Sequence, residues 1–163
     1  MDRVDVPAVM TVHTLEQTQI LPITMEQAWD FFSSPRNLDE ITPDDLGFQI
    51  TYIAGDRIYE GQIITYRVRI APLLHVPWVT EIKHVDAGRS FVDEQRSGPY
   101  KLWHHRHTFE PVDHGVKMTD LVHYALPFGP FGAIAHAVFV RRKLGHIFAH
   151  RKTILTARFG GQD

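Results

Sequence analysis

Residues 100–110 read Tyr-Lys-Leu-Trp-His-His-Arg-His-Thr-Phe-Glu. Taken two at a time, Trp103, His105, His107 and Phe109 fall on one side, and His104, Arg106, Thr108 and Glu110 on the other. A repeat of two is the side-chain period of a β-strand, and the first set is the more apolar, so it is expected to face the interior. Pro111 marks the end of this strand, and Asp113-His114-Gly115 is a hairpin signal. Beyond it Met118, Asp120, Val122, Tyr124 and Leu126 continue the alternation, with His123 on the outer side. Strands joined by so short a turn pair antiparallel, because parallel neighbours need a crossover of about a dozen residues or more.

The same punctuation runs back toward the N-terminus. Phe91 to Gln95 lead into Ser97-Gly98-Pro99, with Phe91, Asp93 and Gln95 on the inner side. Trp78, Thr80 and Ile82 share a parity and are closed by Asp86-Ala87-Gly88. Ile64, Tyr66, Val68 and Ile70 alternate up to a break at Ala71-Pro72, read as a loop reaching Pro77. Phe48, Ile50 and Tyr52 alternate before the Ala54-Gly55-Asp56 turn. Val9 to Leu21 is a first strand, and Thr24-Met25-Glu26-Gln27 matches a capping box that opens a helix through Ala28, Trp29, Phe31 and Phe32. Ser34-Pro35 stops that helix, and a second short one, Arg36 to Ile41, ends before Pro43.

On the C-terminal side, Phe128-Gly129-Pro130-Phe131-Gly132 is a loop or gate that feeds a proline-free segment from Ala133 to Arg158. There Ile134, Val138, Leu144, Ile147, Phe148, Arg151 and Leu155 recur at helical spacing, predicting a helix of about 25 residues, nearly 40 Å long at 1.5 Å per residue. Gly145 is tolerated within it or used for close approach to the sheet, and Gly160-Gly161 ends it. The class is α+β: a curved antiparallel sheet of about seven strands wrapped around the last helix, with two short helices after strand 1. The 163 residues fit one domain over 9–159, with 1–8 and 160–163 as frayed ends.

Composition narrows the chemistry. The net charge of -2 argues against a dedicated nucleic-acid binder. No apolar run approaches the roughly 20 residues of a membrane span, so stable membrane insertion is not expected. With no cysteine, thiolate catalysis, disulfides and Cys-ligated metals are excluded. The N-terminal residues lack a secretory pattern, and a cytoplasmic location is expected. Histidine is abundant at 11, as are Phe at 10, Tyr at 5 and Trp at 3, which fits an aromatic-lined cavity or a core of large residues.

The order of elements is similar to that of the START-like, or SRPBCC, superfamily, in which a curved sheet grips a long C-terminal helix. Gly98 to Glu110, Asp120-Leu121-Val122-His123-Tyr124-Ala125-Leu126-Pro127-Phe128-Gly129 and Leu144 to Arg151 resemble its ligand-binding, polyketide cyclase/dehydrase-like group. The resemblance implies an internal cavity between sheet and C-terminal helix for a small hydrophobic ligand: a lipid, an aromatic or a polyketide-like molecule. It does not choose between a binding protein and an enzyme.

Parity nominates the cavity residues: Trp29, Phe32, Tyr66, Trp78, Trp103 and Phe109 as apolar wall, and Asp93, Gln95, His105, His107, Asp120 and Tyr124 as polar anchors. Buried carboxylates need donors, which His105, His107, Tyr124 or Arg151 would supply to Asp93 and Asp120. Such a cluster serves as a structural network, as an anchor for a ligand oxygen, or as an acid–base set in which His105, His107 and Asp120 carry a cyclase or dehydratase reaction. A protein-interaction module without catalysis is the remaining alternative. His105-Arg106-His107 has the spacing of two metal ligands on one strand face, with Asp93 or Asp120 as third. Without cysteine or a tighter histidine cluster, no metal and no cofactor is expected. The other histidines, and the basic residues Arg141-Arg142-Lys143 and Arg151-Lys152, are assigned mostly to the surface.

Overall fold

The structure is a computed structural model that describes residues 10–160. The expected frayed segment 1–8, and residues 161–163 of the expected tail, lie outside the described residues. β1 (His13–Leu21) is followed by α1 (Met25–Phe32), two 3-10 turns (Pro35–Leu38 and Asp44–Leu46), and β2 (Gln49–Ile53). Then come β3 (Ile63–Ala71), β4 (Leu74–Asp86), β5 (Ser90–Ser97), β6 (Leu102–Val112) and β7 (Gly115–Ala125). The chain ends on α2 (Gly129–Ala135), a π turn (His136–Val140) and α3 (Arg141–Phe159). One seven-stranded antiparallel sheet has the order β1-β7-β6-β5-β4-β3-β2.

Local chemistry accounts for the boundaries. At α1, Gln27 N–H donates to Thr24 Oγ1 at 3.1 Å while Thr24 N–H donates to Gln27 Oε1 at 2.9 Å, the reciprocal pair of a capping box. Prolines 35 and 43 confine the next helical segments to single 3-10 turns, so the helix expected over 36–41 is shorter and a second turn follows Pro43. The loop expected between Ala71 and Pro77 is instead a tight hairpin, with Leu73 at φ 63° and almost wholly exposed. Pro77 lies inside β4 opposite Arg67, and Pro111 lies inside β6 opposite Val116. Both sit past the end of the pairing with β5, where a missing N–H costs no ladder bond on that side.

Gly115 opens β7 at φ 141°, and a Cβ there would fall 2.1 Å from the carbonyl oxygen of Leu21. The β6–β7 hairpin can therefore press against the end of β1 only with glycine at this position. Helical structure begins at Gly129, four residues before Ala133. Pro130, in the first turn, lacks an N–H that would have no helical partner anyway. The helix then runs to Phe159 through the π turn and closes on Gly160, whose φ of 76° lets its N–H reach Thr156 O at 2.8 Å.

Two large packed regions lie between sheet and helices, with a smaller one of Ile64, Tyr66 and Ile82 on β3 and β4. At one end Leu21, Ala28, Phe31, Phe32, Phe91, Phe109, Met118 and Leu155 form a dense core with Trp29 against it. Toward the other end Trp103, Val122, Tyr124, Leu144 and Phe148 cluster. Each Leu, Val, Phe or Met among them, fully buried, is worth about 1.5–3 kcal/mol of transfer free energy. Between the second region and the start of the C-terminal helix the packing opens into a cavity of about 620 Å³.

Candidate functional site

The alternation in β6 and β7 carries Trp103, His105, His107, Phe109, Met118, Asp120, Val122 and Tyr124 to the interior. β5 pairs with β6 without a bulge, so Asp93 stands opposite His105 and Phe91 opposite His107, while β7 sets Asp120 opposite His107. Each histidine also reaches diagonally to the carboxylate that faces the other. His105 Nε2 lies 2.8 Å from Asp120 Oδ1, and His107 Nε2 lies 2.7 Å from Asp93 Oδ2. The second nitrogens close the ring of contacts. His105 Nδ1 is 3.4 Å from Asp93 Oδ2, and His107 Nδ1 is 3.1 Å from Asp120 Oδ1, too misaligned for a good hydrogen bond.

Two further groups complete the cluster. Arg151 Nη2 stands 3.2 Å from Asp120 Oδ1, and Trp103 Nε1–H donates to Asp93 Oδ1 at 3.2 Å. Phe91 stacks on His107 with ring centroids 4.2 Å apart, and Phe148 meets His105 edge-on at 5.6 Å. Asp120 is fully buried. Burial favours its neutral form, but the Arg151 charge and the hydrogen bonds of His105 and His107 hold its carboxyl well below the usual range. Asp93 is also lowered: burial opposes its charge, and His105 and His107 outweigh that opposition.

The two histidines move apart. Burial, then the neighbouring His107, depresses His105, whereas hydrogen bonds to Asp120 and Asp93 overcome burial and raise His107. Charge balance agrees, since one imidazolium with Arg151 neutralises two carboxylates.

Asp93, His105, His107 and Arg151 are a polar cluster in the cavity lining, and Tyr66, Trp78 and Trp103 are in its wall. The Tyr66 hydroxyl is bonded to Thr80 Oγ1, and burial pushes its pKa far up, so it stays a neutral phenol. The other nominated residues lie elsewhere. Trp29 packs edge-on against Phe91 and Phe109, inside the dense core. Phe32 borders a small pocket of about 70 Å³ that shares Tyr66, Asp93, His107 and Arg151 with the cavity. Gln95 clamps Tyr100, accepting from its N–H at 3.1 Å and donating to its carbonyl at 2.7 Å. Asp120 lies behind the histidines, and Tyr124 turns its hydroxyl to His136 Nε2 at 2.8 Å. Parity fixes which face a strand residue takes but not how far along the sheet the open space begins, which is why half of this set falls outside the cavity.

The cavity also draws on residues that strand parity does not reach. Val140, Leu144, Ile147, Phe148 and Arg151 line it from the helix, and Leu46 and Phe48 from the segment before β2. The spacing 144, 148, 151, 155 was the available signal, and it places Arg151 on the apolar stripe. Arg151 is accordingly buried and not part of an outer basic face, while Lys143 donates to Arg69 O at 3.0 Å. Arg141 and Arg142 are exposed, as expected. Of the scattered histidines, His75, His84, His114 and His146 are exposed, whereas His13 and His136 stack at 3.5 Å beside Tyr124. Phe128 and Phe131 border the cavity mouth yet are about four-fifths exposed. None of the described helices is long and apolar enough to cross a membrane.

A curved antiparallel sheet closed over a long C-terminal helix, with two short helical segments after its first strand, is the START-like helix-grip fold. Solved structures share it at low sequence identity. CV1439 from Chromobacterium violaceum is similar over 90% of this chain and 97% of its own, at 12% identity with a TM-score of 0.66. A Thalictrum norcoclaurine synthase point mutant in complex with a transition-state analogue is similar over 92% and 98%, at 12% identity with a TM-score of 0.65. Protein Ms6760 from Mycobacterium smegmatis is similar over 89% and 92%, at 19% identity with a TM-score of 0.59. No protein-family model and no curated protein matches the sequence.

Proposed function

We propose that this protein binds a small, largely apolar molecule — a lipid, an aromatic or a polyketide-like compound — with its polar end on the Asp93, His105, His107 and Arg151 cluster. The observation that carries this reading is a cavity of about 620 Å³ with a mainly apolar lining, into which Asp93, His105, His107 and Arg151 bring a cluster of polar groups. That volume lies within the range of about 300–1,000 Å³ that small-molecule sites occupy. Native mass spectrometry of the protein purified from its own host, followed by denaturation and identification of released molecules, tests it. A stoichiometric apolar compound is expected, together with its loss in Val140→Trp, which fills open space without touching the polar cluster. A wild-type protein that neither carries such a compound nor takes up apolar fluorescent probes displaced by fatty acids or polyketides refutes it.

A second reading, a cyclase or dehydratase, is favoured by one feature: two histidines that contact carboxylates face the cavity. The norcoclaurine synthase among the structural neighbours is an enzyme of the same fold. Under this reading His105 and His107 are the acid–base pair, and Asp120 is a positioning residue behind them. His105→Gln and His107→Gln are then expected to abolish turnover while ligand affinity changes by less than about threefold. Equal loss of both refutes the reading. An interaction-only module has no use for such a cavity, and a well-defined apolar ligand counts against it.

A further inference from the structure

The contacts of His105 and His107 contain a proton shortage. Each ring turns one nitrogen to Asp93 Oδ2 and the other to Asp120 Oδ1, four nitrogen–oxygen approaches in all. Two neutral imidazoles carry only two N–H groups. Filling all four contacts with protons requires two imidazolium rings with centroids 3.8 Å apart, which repel each other in a buried site. With fewer protons, a nitrogen lone pair faces a carboxylate oxygen.

One arrangement removes the conflict. If His105 Nε2–H and His107 Nδ1–H both point at Asp120, both remaining lone pairs converge on Asp93 Oδ2. We propose that Asp93 Oδ2, His105 Nδ1 and His107 Nε2 form a site for a divalent transition metal of the zinc, cobalt or iron(II) class, with a coordination position open to the cavity.

The donor set and its surroundings fit. One ligand atom from each of the three residues lies within 4.8 Å of the others. A tetrahedral site with bonds of about 2.0–2.1 Å places its ligands roughly 3.3 Å apart. The His105 Nδ1–Asp93 Oδ2 separation of 3.4 Å already matches, and the 2.7 Å hydrogen bond from His107 to Asp93 has to widen by about half an ångström.

Metal-bound histidines characteristically donate their other N–H to a carboxylate: Asp120 Oδ1 already meets His105 Nε2 at 2.8 Å, and His107 Nδ1, 3.1 Å away, has to turn into line with it, while Arg151 balances the Asp120 charge. Trp103 holds Asp93 Oδ1, so Oδ2 is the oxygen turned to the two histidines. Phe91 and Phe148 fix the ring planes. Two nitrogens and one carboxylate oxygen suit a borderline cation, and the lack of cysteine disfavours softer ones. With neutral histidines, a dication, two carboxylates and Arg151 leave one positive charge. The open position therefore takes an anionic oxygen: hydroxide, or a carboxylate, phenolate or enolate of a bound molecule.

The test uses the full chain after chelator treatment and dialysis, with Zn2+ and Co2+ alone as probes. Calorimetry is expected to give one tight site, and Co2+ to give visible bands of nitrogen and oxygen ligation. Asp93→Asn and His107→Gln are expected to weaken binding at least 100-fold, and Asp120→Asn about 10–100-fold. His123→Gln, on the outer side of β7, is expected to change it less than twofold.

Ring resonances of wild-type His105 and His107 are expected to broaden selectively with Co2+, a readout that no variant's folding can confuse. Absence of a stoichiometric site in the wild type overturns the proposal. So does binding that broadens only surface histidines, or that survives both Asp93→Asn and His107→Gln. The site does not rest on the ligand reading, because uptake of apolar probes by the metal-free protein tests that reading separately.

Discussion

Arg151→Met separates the charge on α3 from its partner on β7 while keeping most of the side-chain stem. Asp120 is fully buried, and the Arg151 guanidinium stands 3.2 Å from its Oδ1. At that distance the attraction is about 5 kcal/mol with an effective dielectric constant of about 20. Removing one member of a buried pair typically costs 3–5 kcal/mol, because the surviving charge remains desolvated. Asp120 keeps its contacts with His105 and His107, which places the expected loss at the low end, about 3 kcal/mol. For a chain of this size that lowers Tm by roughly 6–12 °C.

The companion variant is Arg151→Met with Asp120→Asn, in which no buried charge is left unpaired and the amide oxygen still accepts from an imidazole. Its cost is expected to be smaller than that of Arg151→Met alone, about 1–2 kcal/mol. Urea unfolding at neutral pH with chelator present measures both. The reasoning fails if Arg151→Met lies within about 0.5 kcal/mol of wild type. It also fails if the double variant loses the sum of the two single losses, since additivity means that the charges do not interact.

Gly145→Ala is expected to stabilise the protein by about 1 kcal/mol, seen as a Tm rise of roughly 2–4 °C. An added Cβ meets nothing within 4 Å there, so a fall in Tm would contradict the packing around α3. Gly115→Ala is expected to cost more than about 2 kcal/mol or to prevent soluble expression, because both its φ of 141° and the Leu21 carbonyl oppose a side chain. Thermal unfolding of the variant checks this, and a Tm equal to wild type counts against it. His136 has a lowered pKa, first from burial and then from the His13 and Arg141 charges, so the fold favours its neutral form. The unfolded ring, with a pKa of about 6.5, binds more protons, and stability should fall as pH drops through 6.5 toward the folded value. His136→Gln is expected to flatten the denaturation profile below about pH 6.5, and profiles parallel to wild type exclude that role.

Much of the architecture was legible because β6 and β7 alternate cleanly and because the turn residues beside them are unambiguous. The inner positions of Asp93, His105, His107 and Asp120 followed from parity, which survives since no bulge interrupts β5–β6 or β6–β7. The break at Ala71-Pro72 does end β3, but prolines 77 and 111 misled because proline was read as a strand breaker. Where a neighbouring strand has ended, its missing N–H does no harm. Arg151 had two contrary signals, a helical spacing that points inward and a charge that points outward, and only the presence of Asp120 decides between them. The π turn at His136–Val140 leaves no mark in the periodicity of so short a segment. The position of the cavity depends on how far α1 and α3 reach along the sheet, a three-dimensional quantity that strand parity does not contain.

The pairing of β1 with β7 joins residues about a hundred positions apart, from Leu21 with Val116 to His13 with Tyr124. Every other strand lies beside its neighbour in sequence. On the ribosome, at about 5–20 residues per second, β1 therefore waits roughly 5–20 s for its partner strand to be made. Meanwhile the meander from β2 to β6 can form through local contacts, and such contacts close fastest. The growing chain has to hold β1 unpaired until β7 has been made, so the sheet closes and the last helix docks only after the whole meander is in place.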